Sequence, residues 1–264
     1  MRVFLKQYGA RRTGTNYLRS LLRLNYAGVV PLMHILGDKH SPPAPLSELW
    51  REAQTESDPA LAFVMKASAH APASSTRLDR VEQCFEVQRV AAPLAQAWAN
   101  GSLGFLISIK DPYAWVPSVA RYFGWISWAD RTSILGPSLV PGVTESCAGF
   151  NTVYASWLAL ARRQPERCQI VRHEDLLADP EATLRALDAK FGLQRSTGSL
   201  VQPAFESHAL DWDQNPERSG GVRFDREYYL EKKYLARLSP AVRDTVTKTI
   251  DWELLAEAGY TAAG

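Results

Sequence analysis

The feature that most constrains this chain is a glycine-bracketed segment near its start, Gly9-Ala10-Arg11-Arg12-Thr13-Gly14-Thr15-Asn16-Tyr17-Leu18. It follows a short apolar run, Val3 to Leu5, and leads into Leu18, Leu21 and Leu22, which share one helical face. A strand, a tight turn and an amphipathic helix in that order make a βα junction. Glycines let the backbone turn sharply enough for successive N–H groups and the positive helix end to converge on one anion. Gly9 and Gly14 have the separation of a Walker loop, but Thr15 and Asn16 stand where that motif has Lys and then Ser or Thr. Phosphate binding survives the exchange, whereas the usual lysine and Mg²⁺ ligand pair does not.

Charge near the loop points the same way. Residues 1–37 carry Arg2, Lys6, Arg11, Arg12, Arg19 and Arg23 and no acid before Asp38, a field suited to a polyanionic ligand. Arg19 and Arg23, four apart, also fit a solvated helix face. The formal charge of the whole chain, +2, is too small for a nucleic-acid surface.

With 264 residues, 46% hydrophobic and 22% charged, the chain has the size and composition of one globular domain spanning 1–264. Such a chain buries a sizeable core without disulfides. Cys84, Cys147 and Cys168 have no C-x-x-C spacing, so neither a disulfide framework nor a zinc site is indicated. No signal-peptide succession and no apolar stretch near the roughly 18 residues of a membrane span are present, so a cytoplasmic protein is expected. Leu61 to Met65, Phe105 to Ile109 and Gln169 to Val171 join Val3 to Leu5 as expected strands, each followed by a loop and a helical pattern. Asp179-Pro180 and Ser239-Pro240 start helices, and Gly192 stops the first of them. Stretches 37–48 and 132–149, rich in Pro, Ser and Gly, are expected as loops over a site. The fold class is therefore α/β, a three-layer αβα arrangement around a mainly parallel sheet with a P-loop-like phosphate loop.

The order Arg12-Thr13-Gly14-Thr15-Asn16-Tyr17 resembles the 5'-phosphosulfate loop of sulfotransferases that use 3'-phosphoadenosine-5'-phosphosulfate, PAPS. A second resemblance is Lys110-Asp111-Pro112 with Ser118: in that family a basic strand end and a Ser eight positions later hold the 3'-phosphate. The resemblance implies that Thr13, Gly14, Thr15 and Asn16 cradle the 5'-phosphosulfate, with Arg11 and Arg12 adding charge. It also implies that Tyr17 lies against adenine, that Lys110 and Ser118 take the 3'-phosphate, and that no metal takes part. Arg12 stands where the family often has Lys, so its role is electrostatic, since a guanidinium does not give up a proton. Arg172-His173-Glu174-Asp175-Leu176 resembles the family's Tyr-Glu-Asp-Leu with His173 for Tyr, while Glu174 and Asp175 read as structural. Arg218, in Arg218-Ser219-Gly220-Gly221, resembles the residue that closes over the 3'-phosphate.

Sulfuryl transfer needs an in-line acceptor, charge cancellation on the leaving phosphate and a base, for which histidine is suited. Lys39-His40 resembles a pair found in bacterial members between the first helix and the Lys-Asp-Pro strand. His70, beyond the expected strand that ends at Lys66, is its rival. Trp115, Tyr122, Phe123, Trp125 and Trp128 cluster after the Lys110 segment and are candidates for the wall of an acceptor pocket or for core. The acceptor itself, small-molecule or carbohydrate, hydroxyl or amine, is not specified by the sequence. A P-loop kinase or NTPase fits the first glycines but gives the Lys110 and Ser118 pair no role. A non-catalytic nucleotide-binding module is the third reading.

Overall fold

The computed structural model describes residues 2–70, 77–127, 133–196, 198–203 and 225–262, with 77–86 described by backbone alone. Strands β1 (Val3–Gly9), β2 (Val29–Leu32), β3 (Gly104–Ile109) and β4 (Cys168–Arg172) form one parallel sheet in the order β2-β1-β3-β4. All of β3, and β1 beyond Val3, is buried, as expected of parallel strands covered on both faces.

Alternation along the strands feeds two cores. Phe4 and Tyr8 of β1 and Phe105 and Ile107 of β3 share a core with residues of α2 (Leu46–Ala53, which takes in the end of the expected loop 37–48), α3 (Pro59–Ala69), α4 (Arg77–Ala99), α5 (Pro112–Tyr122) and α6 (Val140–Arg163). Leu5 and Leu106 face the other way, onto α1 (Thr15–Asn25), α7 (His173–Ala178) and α8 (Pro180–Phe191). The result is the three-layer α/β architecture expected from the βα pattern. Among the described residues no helix is long and apolar enough to cross a membrane.

The chain passes from β1 to β2 on one side and then returns to lay β3 on the other. The carboxyl ends of β1 and β3, paired at Gly9 and Ser108, thus flank the point where strand order reverses, the usual ligand crevice of an open α/β sheet. Tyr154 of α6 staples the two ends, its hydroxyl donating to Ser108 O at 2.7 Å and accepting from Ala10 N at 3.4 Å.

Three sequence expectations are corrected. Leu61 to Met65 is not a strand but the middle of α3: Asp58 caps it by accepting from Leu61 N, Pro59 occupies its first turn, and Phe63, Val64 and Ala67 form the buried stripe. A short apolar run does not distinguish a strand from a buried helix, and the Asp58-Pro59 start signal decides it. The strand missed was β2, whose Pro31 is tolerated because β2 is an edge. Of the expected loop 132–149, residues from Val140 onward belong to α6, preceded by a 3-10 turn at Pro137–Leu139. Trp125 packs on Gly142 of that helix, 3.0 Å from where a Cβ would stand. The starts at Asp179-Pro180 and Ser239-Pro240 and the left-handed stop at Gly192 are found as expected.

Candidate active site

The Gly9–Asn16 turn closes tightly enough that both of its glycines have direct steric reasons. A Cβ on Gly9 would stand 2.8 Å from Thr15 Cγ2 and 2.9 Å from Ser108 O, and Gly14 has φ 84° with His173 Nδ1 2.5 Å from its would-be Cβ. Arg12 adopts φ 70° without being glycine, backbone strain of the kind that collects at functional sites. Thr13 turns its hydroxyl inward onto Ala10 O at 2.7 Å, and Trp115 Nε1 donates to Arg11 O at 2.8 Å. Gln7 Nε2 holds Thr15 O at 2.8 Å. Helix α1 then starts with no side-chain cap and no acid in its first turn, so neither neutralises its first N–H groups and positive dipole end.

Lys39 and His40 are bound to this turn. Gly9 N donates to Lys39 O at 3.0 Å, and His40 Nδ1 lies 2.6 Å from Gly9 O. A carbonyl only accepts, so Nδ1 carries the proton and Nε2 keeps its lone pair. Lys39 is 2% exposed and donates to Asn16 Oδ1 at 2.9 Å. Burial, then the charge of Arg19, draws its pKa down to about 7 against the opposing pull of Asp38. Burial and the neighbouring Lys39 draw His40 down to about 3, so it is neutral at pH 7. Beneath the segment, fully buried Lys6 donates to Met33 O at 2.9 Å and Gly37 O at 2.5 Å. Asp38 accepts from His40 N at 2.6 Å and faces His34 Nδ1 at 3.6 Å. Burial alone would raise its carboxyl, but those contacts hold it well below the carboxylate range.

At the end of β3, Lys110, 2% exposed, donates to Ser118 Oγ at 3.0 Å. The eight-residue spacing works because Asp111 caps α5 through Tyr113 N and two turns of helix return Ser118 to the strand end. The Tyr229 ring lies 4.1 Å from Lys110 Nζ. Burial would raise the Tyr229 hydroxyl, yet Lys110 and contacts with Ser118 bring it down to about 8. Burial lowers the Lys110 ammonium in turn. Glu174 accepts from Asp111 N at 3.1 Å and Tyr260 OH at 2.5 Å, and Asp175 pairs with Arg172 at 3.8 Å, structural roles for both acids.

Other expected residues are placed elsewhere. Arg11 is exposed and donates to Tyr122 OH at 2.5 Å rather than turning into the loop. Tyr17, 8% exposed, packs in the second core. His70 caps the exposed end of α3, and Lys66 pairs with Glu52 and Glu56 at 3.8 and 3.1 Å, so the strand that was to carry both over the loop does not exist. Within the aromatic cluster Trp115 is core, while Tyr122 and Phe123 are exposed. Trp128 and Arg218 lie outside the described residues, as does the side chain of Cys84; Cys147 and Cys168 are buried free thiols. Tyr154, Gln7 and Tyr229 were missed, since each reaches the site through a contact without local sequence signature. Among the described residues no cluster of three metal-ligating side chains occurs.

No family model and no curated protein matches this chain. Among solved structures, the sulfotransferase domain from the Synechococcus PCC 7002 olefin synthase is similar with a TM-score of 0.53 at 16% identity, over 100% of this chain and 96% of that one. The sulfotransferase domain from the curacin biosynthetic pathway aligns over 99% of each chain at 13% identity with a TM-score of 0.47. The first likeness defines the fold: this chain has the α/β architecture of a sulfotransferase domain.

Proposed function

We propose that the chain is a PAPS-dependent sulfotransferase acting on a hydroxyl or amine of a small-molecule or carbohydrate acceptor. The observation that carries this reading is the pairing of two cationic seats at adjoining strand ends: the uncapped start of α1 with Lys39, and buried Lys110 on Ser118. A nucleotide with a phosphate at each end of its ribose answers both. The residues present fit it, because α1 has no acid to repel the 5' end and Lys110 sits on hydroxyls rather than on a carboxylate.

In this reading Thr13 to Asn16 hold the 5'-phosphosulfate, and Lys110 and Ser118 hold the 3'-phosphate. PAPS supplies an activated sulfuryl group whose departure leaves charge on the 5'-phosphate. Lys39, the α1 amides and Arg12 neutralise that charge. Nε2 of His40 takes the acceptor's proton, the tautomer being set by Gly9 O. An anion bound beside His40 raises its basicity from the low value of the empty site. His40 is preferred over His70 because it touches the loop and His70 does not stand on a strand. On this reading the protein works in the cytoplasm.

Transfer of labelled sulfate from PAPS to an acceptor pool tests the reading, alongside calorimetry with 3',5'-adenosine bisphosphate and ATP·Mg²⁺. Expected are transfer and preference for the bisphosphate. Tight ATP·Mg²⁺ binding with none of the bisphosphate would establish the kinase or NTPase reading instead, and bisphosphate binding without transfer the non-catalytic one.

A further inference from the structure

We propose that His173 is a third ligand of the 3'-phosphate seat beside Lys110 and Ser118, and the residue that distinguishes a 3'-phosphorylated adenine nucleotide from its 3'-hydroxyl counterpart. The inference rests on the donor assignment above. His173 is 5% exposed, and neither ring nitrogen has a hydrogen-bond partner among the described residues. Buried imidazoles are normally satisfied on at least one nitrogen. Its sequence neighbours are engaged: Arg172 lies 3.8 Å from Asp175 and 4.6 Å from the Tyr260 ring, and Glu174 is held by Asp111 N and Tyr260 OH. Both nitrogens of His173 are left with polar capacity to offer, as are the single atoms Ser108 Oγ at the end of β3 and Arg172 Nε.

Its surroundings say to what. One side of the ring meets Gly14, which has no Cβ and would bring one within 2.5 Å of Nδ1. Another meets Tyr229 edge-on, with ring centroids 5.2 Å apart, and the same Tyr229 ring lies 4.1 Å from Lys110 Nζ. The imidazole therefore stands between the phosphate loop and the Lys110 seat, sharing a wall with the latter. After burial, the charges acting on it are those of Lys110 and Arg12, which keep it neutral in the ligand-free protein. Two orphaned nitrogens beside two cations are a poor match to one another and a good match to an anion. A phosphate accepts the ring N–H and offsets the cations, and once the ring is protonated both nitrogens donate.

The test is calorimetry on the full chain with 3',5'-adenosine bisphosphate and with adenosine 5'-monophosphate. Wild type is expected to prefer the bisphosphate. His173→Phe should lose at least tenfold of that preference, read as the ratio of the two affinities, and His173→Gln, which keeps an N–H at similar reach, should recover most of it. An unchanged preference in His173→Phe overturns the inference and leaves the donor assignment standing. Absence of any preference in wild type overturns both. Should His173→Phe not fold, the imidazole ¹⁵N resonances of wild type decide. They should shift on adding the bisphosphate and not the monophosphate, and unshifted resonances overturn the proposal.

Discussion

The carbonyl of Gly9 accepts the Nδ1 proton of His40 at 2.6 Å, while the amide of Gly9 donates to Lys39 O at 3.0 Å. One glycine thus ends β1, one of the two inner strands, starts the phosphate turn and orients the candidate base. Its lack of a side chain is required by Thr15 and Ser108 pressing on it.

Replacing His40 by Ala should lower kcat by about a hundredfold or more, the range of a positioned general base, with bisphosphate affinity within about twofold of wild type. Single-turnover kinetics with saturating PAPS measure it. His40→Ala retaining the wild-type rate would remove the base assignment. The same variant of His70, exposed at the end of α3, should leave kcat unchanged.

Lys110→Met separates function from stability. Burial lowers the Lys110 pKa, so the folded state strains against its charge, and an apolar side chain of similar length relieves this. Thermal unfolding should move upward or stay level while bisphosphate affinity falls by about tenfold or more. Ser118→Ala, which removes one hydroxyl from the pair, should cost about 1 kcal/mol of binding, or about fivefold. A drop in both stability and affinity for Lys110→Met would mean that its bond to Ser118 is structural.

What the sequence disclosed follows the range of the contacts involved. Gly9 to Tyr17 was legible because strand, turn and helix geometry fix it within a few residues; Lys110 and Ser118 were marked by the resemblance, and the helix start at Pro112 accounts for their spacing. Lys39 and His40 were found by resemblance alone: their contacts with Asn16 and Gly9 bridge 23 and 31 residues, and no periodicity encodes them. Tyr154 staples the strand ends across 46 residues to Ser108 and 144 to Ala10, again without local trace. Strand β2 was hidden by Pro31, and α3 passed for a strand because Leu61 to Met65 is apolar on every side. His173 was visible only as a departure from Tyr, and its buried, unpartnered ring needed coordinates.

Proton uptake should accompany ligand binding. The Lys39 pKa of about 7 leaves the side chain mostly neutral at pH 8, above the second phosphate pKa of about 6. A bound dianion favours the ammonium, so the complex takes up protons and affinity falls as pH rises from 7 to 9. Stability of the ligand-free protein runs the other way. Lys6 and Lys39 titrate at about 7 when folded and at the ordinary 10.5 when unfolded. The unfolded chain then binds more protons between those values, and these two groups make stability rise with pH across that window. Calorimetry in buffers of different ionisation enthalpy measures the uptake, and Lys39→Met should reduce it. Equal uptake in wild type and Lys39→Met would assign it elsewhere.

Gly14→Ala tests the packing of the phosphate loop on His173. At φ 84° a Cβ is strained by about 1 kcal/mol, and its approach to Nδ1 at 2.5 Å adds a clash that the buried ring has little room to relieve. The single variant should lose about 2–3 kcal/mol by urea unfolding. His173→Ala removes the obstructing ring, so the double variant should be more stable than the sum of the two single losses implies, by about 1 kcal/mol. The remaining deficit belongs to the left-handed backbone alone. Strict additivity in the cycle would show that the loop and the imidazole do not bear on each other, contrary to the placement of His173 between the two phosphate seats.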